Sequence, residues 1–87
     1  MRLTFQSLKI LRELLGHEEV YGAAVSRATN ISTGVLYPIL ARFEAAGWVR
    51  SHWERGSAHQ LQRPLRRFYS LTAKGVAAAE HALRELT

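Results

Sequence analysis

The sequence predicts a mainly α domain with one β-hairpin: three helices precede the hairpin and one follows it. Three observations predict it. Residues 25–40 read as a short helix, a tight turn at Asn30 and a second helix that opens on small hydroxyl side chains. After Gly47 the period changes, and two runs rich in β-formers, Trp48 to Trp53 and Arg66 to Leu71, flank a polar stretch. From Ala73 the helical period returns and holds to the C-terminus.

The first helix is expected over residues 4–15. Thr4 can cap its start and Gly16 can end it; Phe5, Leu8, Leu11 and Leu15 form one stripe that Ile10 and Leu14 widen. So wide an apolar face suggests contact on two sides, the domain core and a second subunit. Lys9, Arg12 and Glu13 are left to solvent, and His17 to Val20 form a short connector. A second helix runs from Tyr21 to Thr29 with Tyr21, Ala24, Val25 and Ala28 turned inward.

Asn30 sits where the turn needs a left-handed residue, and Ser32 is a good N-cap whose side-chain oxygen accepts an orphan N–H. Val25, Ile31, Leu36, Ile39 and Leu40 lock the two helices at a steep angle, leaving Ser32, Thr33, Gly34, Tyr37 and Ala41 outward. This is the helix-turn-helix pattern, here over residues 21–47, whose second helix can lie in a DNA major groove. An ordinary αα-corner inside an all-helical domain is the other reading of the same spacing. Pro38 lies within the second helix and cannot donate to the carbonyl of Gly34. Either that helix begins after Ser32 or it is bent near its start.

Residues 48–71 form the hairpin. Val49, Ser51 and Trp53 share one strand face, as do Tyr69 and Leu71 on the other strand. The stretch 56–65 is too polar and irregular for a further element, so a long, mobile tip is expected. A hairpin appended to a helix-turn-helix is a wing, and the architecture is therefore a winged helix-turn-helix. Thr72 caps the last helix, residues 73–86, on which Val76, Ala79, Leu83 and Leu86 repeat at coiled-coil-like spacing beside Ala77, Ala78 and Ala82. Such a seam needs cover. A second copy of the chain supplies it in one reading, with Leu8 and Leu11 joining the dimer interface; in the other, the helix packs back on the first helix. Both can hold together.

Eighty-seven residues make one domain, and 47% hydrophobic residues suffice for its core. No apolar run reaches the ~18 residues of a membrane span, and the N-terminus lacks a signal-peptide pattern. The absence of cysteine excludes disulfides, thiolate metal sites and a cysteine nucleophile, and fits a cytoplasmic location. Aspartate is absent too, the seven glutamates are dispersed and the four histidines lack metal-ligand spacing. No enzyme, metal or cofactor is expected. Trp48 and Trp53 read as core and hinge packing.

The charge is what points to a partner. The chain carries +5, and the five arginines at 50, 55, 63, 66 and 67 against the single Glu54 put +4 of it on the hairpin. Arginine bridges phosphates bidentately and favours a narrow minor groove. His52 and His59 add to this charge below about pH 6.5.

Tyr21-Gly22, Leu36-Tyr37-Pro38, Leu40, Phe43-Glu44, Gly47-Trp48-Val49, Trp53, Arg63-Pro64, Arg66-Arg67-Phe68-Tyr69 and Leu71-Thr72-x-Lys74-Gly75 together resemble PadR-type transcriptional regulators. The likeness covers roughly residues 21–76. It implies a winged helix-turn-helix that dimerises through terminal helices and represses transcription at a palindromic operator, and it accounts for a proline inside the recognition helix. The interval from Tyr21-Gly22 to Leu36 is shorter than in many members, giving a tight turn, the wing tip is longer, and Leu65 separates Pro64 from the paired arginines. A small-molecule effector is left open.

The expected DNA-binding residues are Ser32, Thr33, Gly34, Tyr37 and Arg42 toward the major groove, with Arg50, Arg63, Arg66 and Arg67 on phosphates or the minor groove. Tyr37 either contacts DNA or packs on the domain. The expected dimer interface comprises Leu8, Leu11, Val76, Ala79, Leu83 and Leu86. A winged-helix module that binds another protein is the alternative from a different class.

Overall fold

The structure is a computed structural model and describes residues 2–86; residues 1 and 87 of the expected 1–87 domain lie outside the described residues. The order is α1 (Phe5–Leu15), β1 (Val20–Tyr21), α2 (Gly22–Thr29), α3 (Thr33–Ala45), β2 (Val49–Trp53), α4 (Ala58–Leu61), β3 (Arg67–Leu71) and α5 (Ala73–Arg84). The strands form an antiparallel sheet in the order β1-β3-β2, with Val20 opposite Tyr69 and Val49 opposite Leu71. Three helices and a hairpin followed by a helix make this a winged helix-turn-helix.

One core joins the elements. Ile10, Leu11 and Leu14 of α1 meet Val25 of α2, Ile31 of the turn, Leu36, Ile39, Leu40 and Phe43 of α3, and Ala79 of α5. On α1 the deepest stripe is therefore Ser7, Ile10, Leu11 and Leu14, whereas Phe5 is 73% exposed. The stripe expected from Phe5, Leu8, Leu11 and Leu15 is rotated toward Ile10 and Leu14. Both patterns have helical spacing, and only the packing of α2 and α5 chooses between them. Ser7 tolerates burial because Thr4 accepts from its backbone N–H at 3.1 Å and shares a hydroxyl contact at 3.0 Å. Ala28, expected inside, is exposed.

Two elements were not foreseen. The connector before α2 ends in β1, whose two residues pair with Tyr69 and Phe68; its partner is some 48 positions away, so no local pattern announces it. At the wing tip, four residues coil into α4, with the Ser57 hydroxyl accepting from Gln60 N at 3.1 Å and Gln62 in the left-handed region at φ 56°. That replaces the irregular tip expected over 56–65. Trp48 stacks on Phe43 with centroids 5.5 Å apart, as core packing predicts. Trp53 does not: it is 59% exposed.

Close backbone approach fixes α5 against the wing. Gly75 lies so near the carbonyl of Trp48 that a Cβ there would overlap it, while Thr72 caps α5 by accepting from Gly75 N at 3.0 Å and donates to the carbonyl of Gly47 at 2.6 Å.

Candidate nucleic-acid interface

The helix-turn-helix is tied down by polar contacts on each side of its turn. Asn30 takes φ 57°, the left-handed conformation expected of it. Ser26 Oγ donates to the Ile31 carbonyl at 2.6 Å across the turn, and Lys9 Nζ donates to the Thr29 carbonyl at 2.8 Å from α1. Ile31 and Leu36 are buried on the inner side, so the start of α3 is pinned while Ser32, Thr33 and Gly34 stay exposed.

Ser32 is the N-cap residue by backbone geometry, but its hydroxyl makes no capping hydrogen bond. Its carbonyl instead accepts from Val35 N at 3.1 Å and Leu36 N at 2.8 Å. The hydroxyls of Ser32 and Thr33 thus remain available to an outside partner, beside first-turn N–H groups that favour an anion. Gly34 would offer open space to a Cβ, so nothing in the chain itself crowds that position. Helix α3 begins at Thr33 and runs through Pro38, which answers the question of its start.

Tyr37 is divided between the two roles the sequence left open. Its ring lies against Gly22, where a Cβ would collide with the phenol, and tilts against Tyr69 at 6.4 Å, yet it is 39% exposed. Tyr69 behind it is buried, which pushes its phenol pKa up, while Arg67 pulls the other way.

The arginines of the wing do different things. Arg63 Nη1 and Nη2 grip Glu54 at 2.7 and 2.8 Å, and Arg66 N donates to the same carboxylate at 3.1 Å. These contacts, led by the Arg63 hydrogen bonds, hold the Glu54 pKa at about 2. Arg63, expected on DNA, is therefore engaged in closing the base of the wing tip. Arg67 Nη2 donates to Ser51 Oγ at 2.8 Å, and Ser51 donates in turn to the Glu44 carboxylate of α3 at 2.9 and 3.0 Å. This relay ties the wing to α3. The Arg66 guanidinium lies 4.1 Å from the centre of the Tyr21 ring, and that of Arg67 lies 5.1 Å from the Trp53 ring.

Register separates the set further. Arg67 and Tyr69 pair with Trp53 and Ser51, so those four side chains share one sheet face; Arg50, opposite Ser70, belongs to the other. Arg50 is exposed but does not join Arg67. What the structure does bring together is a cleft of about 680 Å³ lined by Tyr37, Arg63, Arg66 and Arg67, with Tyr21 and Arg27 from the α2 side. Arg27 carried no sequence signal: it reaches the cleft only because β1 sets Tyr21 and the start of α2 beside the wing, where Arg27 Nη2 donates to the Tyr21 hydroxyl at 2.6 Å.

Of the expected dimer residues, Leu11 and Ala79 are fully buried within the subunit. Any contact with a second copy falls on their neighbours: Leu8 and Leu83 are half-buried, Val76 is exposed and Leu86 is 59% exposed. Helices α1 and α5 pack on each other inside one chain, so the intrasubunit reading of the last helix holds whatever else covers it. No helix among the described residues is long and apolar enough to cross a membrane.

The model of the family described as "Transcriptional regulator PadR-like family" matches residues 10–81. The chain belongs to the PadR-like family of transcriptional regulators. Membership places it among regulators of transcription, not enzymes. Its sequence finds no significant match among curated proteins. Among solved structures, smu.1704 of Streptococcus mutans is 26% identical, with a TM-score of 0.76 over 93% of this chain and 74% of that one. A PadR family regulator of Eggerthella lenta is 24% identical, with a TM-score of 0.76 over 92% of this chain and 70% of its own. A MarR mutant of E. coli complexed with operator DNA shares the fold at 19% identity and a TM-score of 0.73, over 91% of this chain and 52% of that one.

Proposed function

We infer that this PadR-like regulator is a homodimeric repressor that binds a palindromic operator, with α3 in the major groove and the wing on phosphates or the minor groove. The observation that carries this reading is the exposed, hydroxyl-bearing start of α3 in a chain whose wing concentrates +4 of the net charge. Ser32, Thr33 and Gly34 lead the major-groove contact, with Tyr37 and Arg42 further along the helix; Arg66 and Arg67 carry most of the phosphate contact, and Arg50 adds to it from the other sheet face. The MarR complex with operator DNA supports a docking of this kind, since that protein shares the fold.

Dimerisation is supported by the apolar side chains left uncovered along α1, α5 and the turn after α5, namely Phe5, Val76 and Leu86, with Leu8 and Leu83 beside them. Two subunits then read half-sites about one helical turn apart, ~34–36 Å.

Selection of bound sequences from a random duplex pool tests the reading. An enriched inverted repeat with half-sites one turn apart is the expected result. Retention of duplex only through weak, sequence-blind charge attraction would instead favour a protein-binding module.

A further inference from the structure

The cleft between α2, α3 and the wing has a chemistry that duplex binding leaves unexplained. Its volume of about 680 Å³ falls in the range usual for small-molecule sites, roughly 300–1,000 Å³. Arg27, Arg63, Arg66 and Arg67 all line it. Glu54 neutralises Arg63. Among the described residues no carboxylate stands within ion-pair distance of the other three. Their guanidiniums are held by neutral groups: Arg66 by the Tyr21 ring, Arg27 by the Tyr21 hydroxyl, and Arg67 by the Trp53 ring and Ser51. Like charges gathered around one cavity repel one another. An anion is the missing partner.

A duplex phosphate needs cations but no apolar bed, and this cleft has one. Gly22 and Ala23 line it at the start of α2, the Tyr37 ring packs over Gly22, and Pro64 and Leu65 supply a wall. Such a bed suits a ligand with a flat apolar body, and the largely exposed Trp53 offers an aromatic surface beside Arg67.

We propose that this cleft binds a free nucleotide, its base against Trp53 and Tyr37 and its phosphates on Arg27, Arg66 and Arg67. The charge count favours phosphate over carboxylate: three guanidiniums without a directly ion-paired carboxylate match a diphosphate or triphosphate, and each planar fork matches phosphate oxygens. The regulatory consequence rests on the DNA-binding reading, although the site itself does not. Arg66 and Arg67 cannot serve an operator phosphate and a nucleotide together, so each ligand weakens the other by the same factor.

The test is titration of ADP into the full chain, followed by tryptophan fluorescence and calorimetry, with adenosine, pyrophosphate and benzoate as comparison probes. ADP is expected to saturate the protein and quench Trp53, a signal lost in Trp53→Phe. Adenosine and pyrophosphate each bind at least tenfold more weakly, and Arg27→Ala weakens ADP at least tenfold. At constant ionic strength ADP also releases duplex more effectively than pyrophosphate does. Failure of ADP to bind below about 1 mM, a weak Kd on any scale, in a chain that still shifts duplex overturns the proposal. So does equal competition by pyrophosphate, which is ion exchange alone, or tighter binding of benzoate than of ADP. Saturable ADP binding by a chain indifferent to duplex would uphold the cleft and overturn the operator reading instead.

Discussion

At the scale of single residues, the sharpest constraint is Gly75, whose neighbour is a backbone carbonyl that has no rotamer to change. Gly75→Ala must push α5 away from the end of α3, at a cost of about 2 kcal/mol or more. For a domain of this size that lowers Tm by roughly 10 °C, readable by thermal circular dichroism; an unchanged Tm would mean that α5 is free to slide. Glu54 sets a pH limit on the wing. Its pKa lies at about 2 against an ordinary 4.5, so the carboxylate contributes stability above pH 4.5 and loses it as the pH falls from 4.5 toward 2. Amide resonances of Ser57 to Gln62 should shift cooperatively over that window, and in Glu54→Gln they should already be shifted at neutral pH. A tip whose resonances do not respond to acid would mean that Arg63 is not its fastening.

Elements show why the arginines are not interchangeable. Just before β3, Arg66 presents its side chain over Tyr21 with no ion-paired carboxylate, whereas Arg63 is bound to Glu54. Each phosphate contact removed should flatten the log–log salt dependence of duplex binding by about 0.9. Arg66→Ala is therefore expected to lower the slope by nearly one unit with little effect on the fold. Arg63→Ala should also weaken binding, but through a loosened wing tip and a freed Glu54 carboxylate, so its salt slope changes less. Equal slopes for the two variants would show that Arg63 leaves Glu54 to meet DNA. Helix α3 is tied to β3 and the wing through Glu44, Ser51 and Arg67.

The whole molecule measures 45 × 25 × 20 Å, too elongated for every apolar side chain to reach one core. Phe5, Val76 and Leu86 are among those left exposed. Val76→Asp keeps the buried Ala79 seam intact and is expected to convert the proposed dimer to a folded monomer in sedimentation, with weaker binding to duplex. A dimer that survives would move the interface away from α5. The small core also sets the margin for mutation: domains hold only ~5–15 kcal/mol. Phe43→Ala, which empties the fully buried site under Trp48, costs about 3–5 kcal/mol and should be visible as a fraction unfolded at ambient temperature.

Read by itself, the sequence determined helices α1, α2, α3 and α5, the left-handed turn at Asn30, the hairpin and the basic wing, because each is signalled by spacing, capping residues or charge within a few positions. The family resemblance was carried by motifs of the same local kind. Tertiary structure alone decided which stripe of α1 is buried, that Val20–Tyr21 is a strand, that Arg50 and Arg67 lie on opposite sheet faces, and that Glu54 takes Arg63. Those outcomes depend on pairings between distant parts of the chain. Arg27 and Arg66 meet at one residue only because the sheet sets Tyr21 in contact with both.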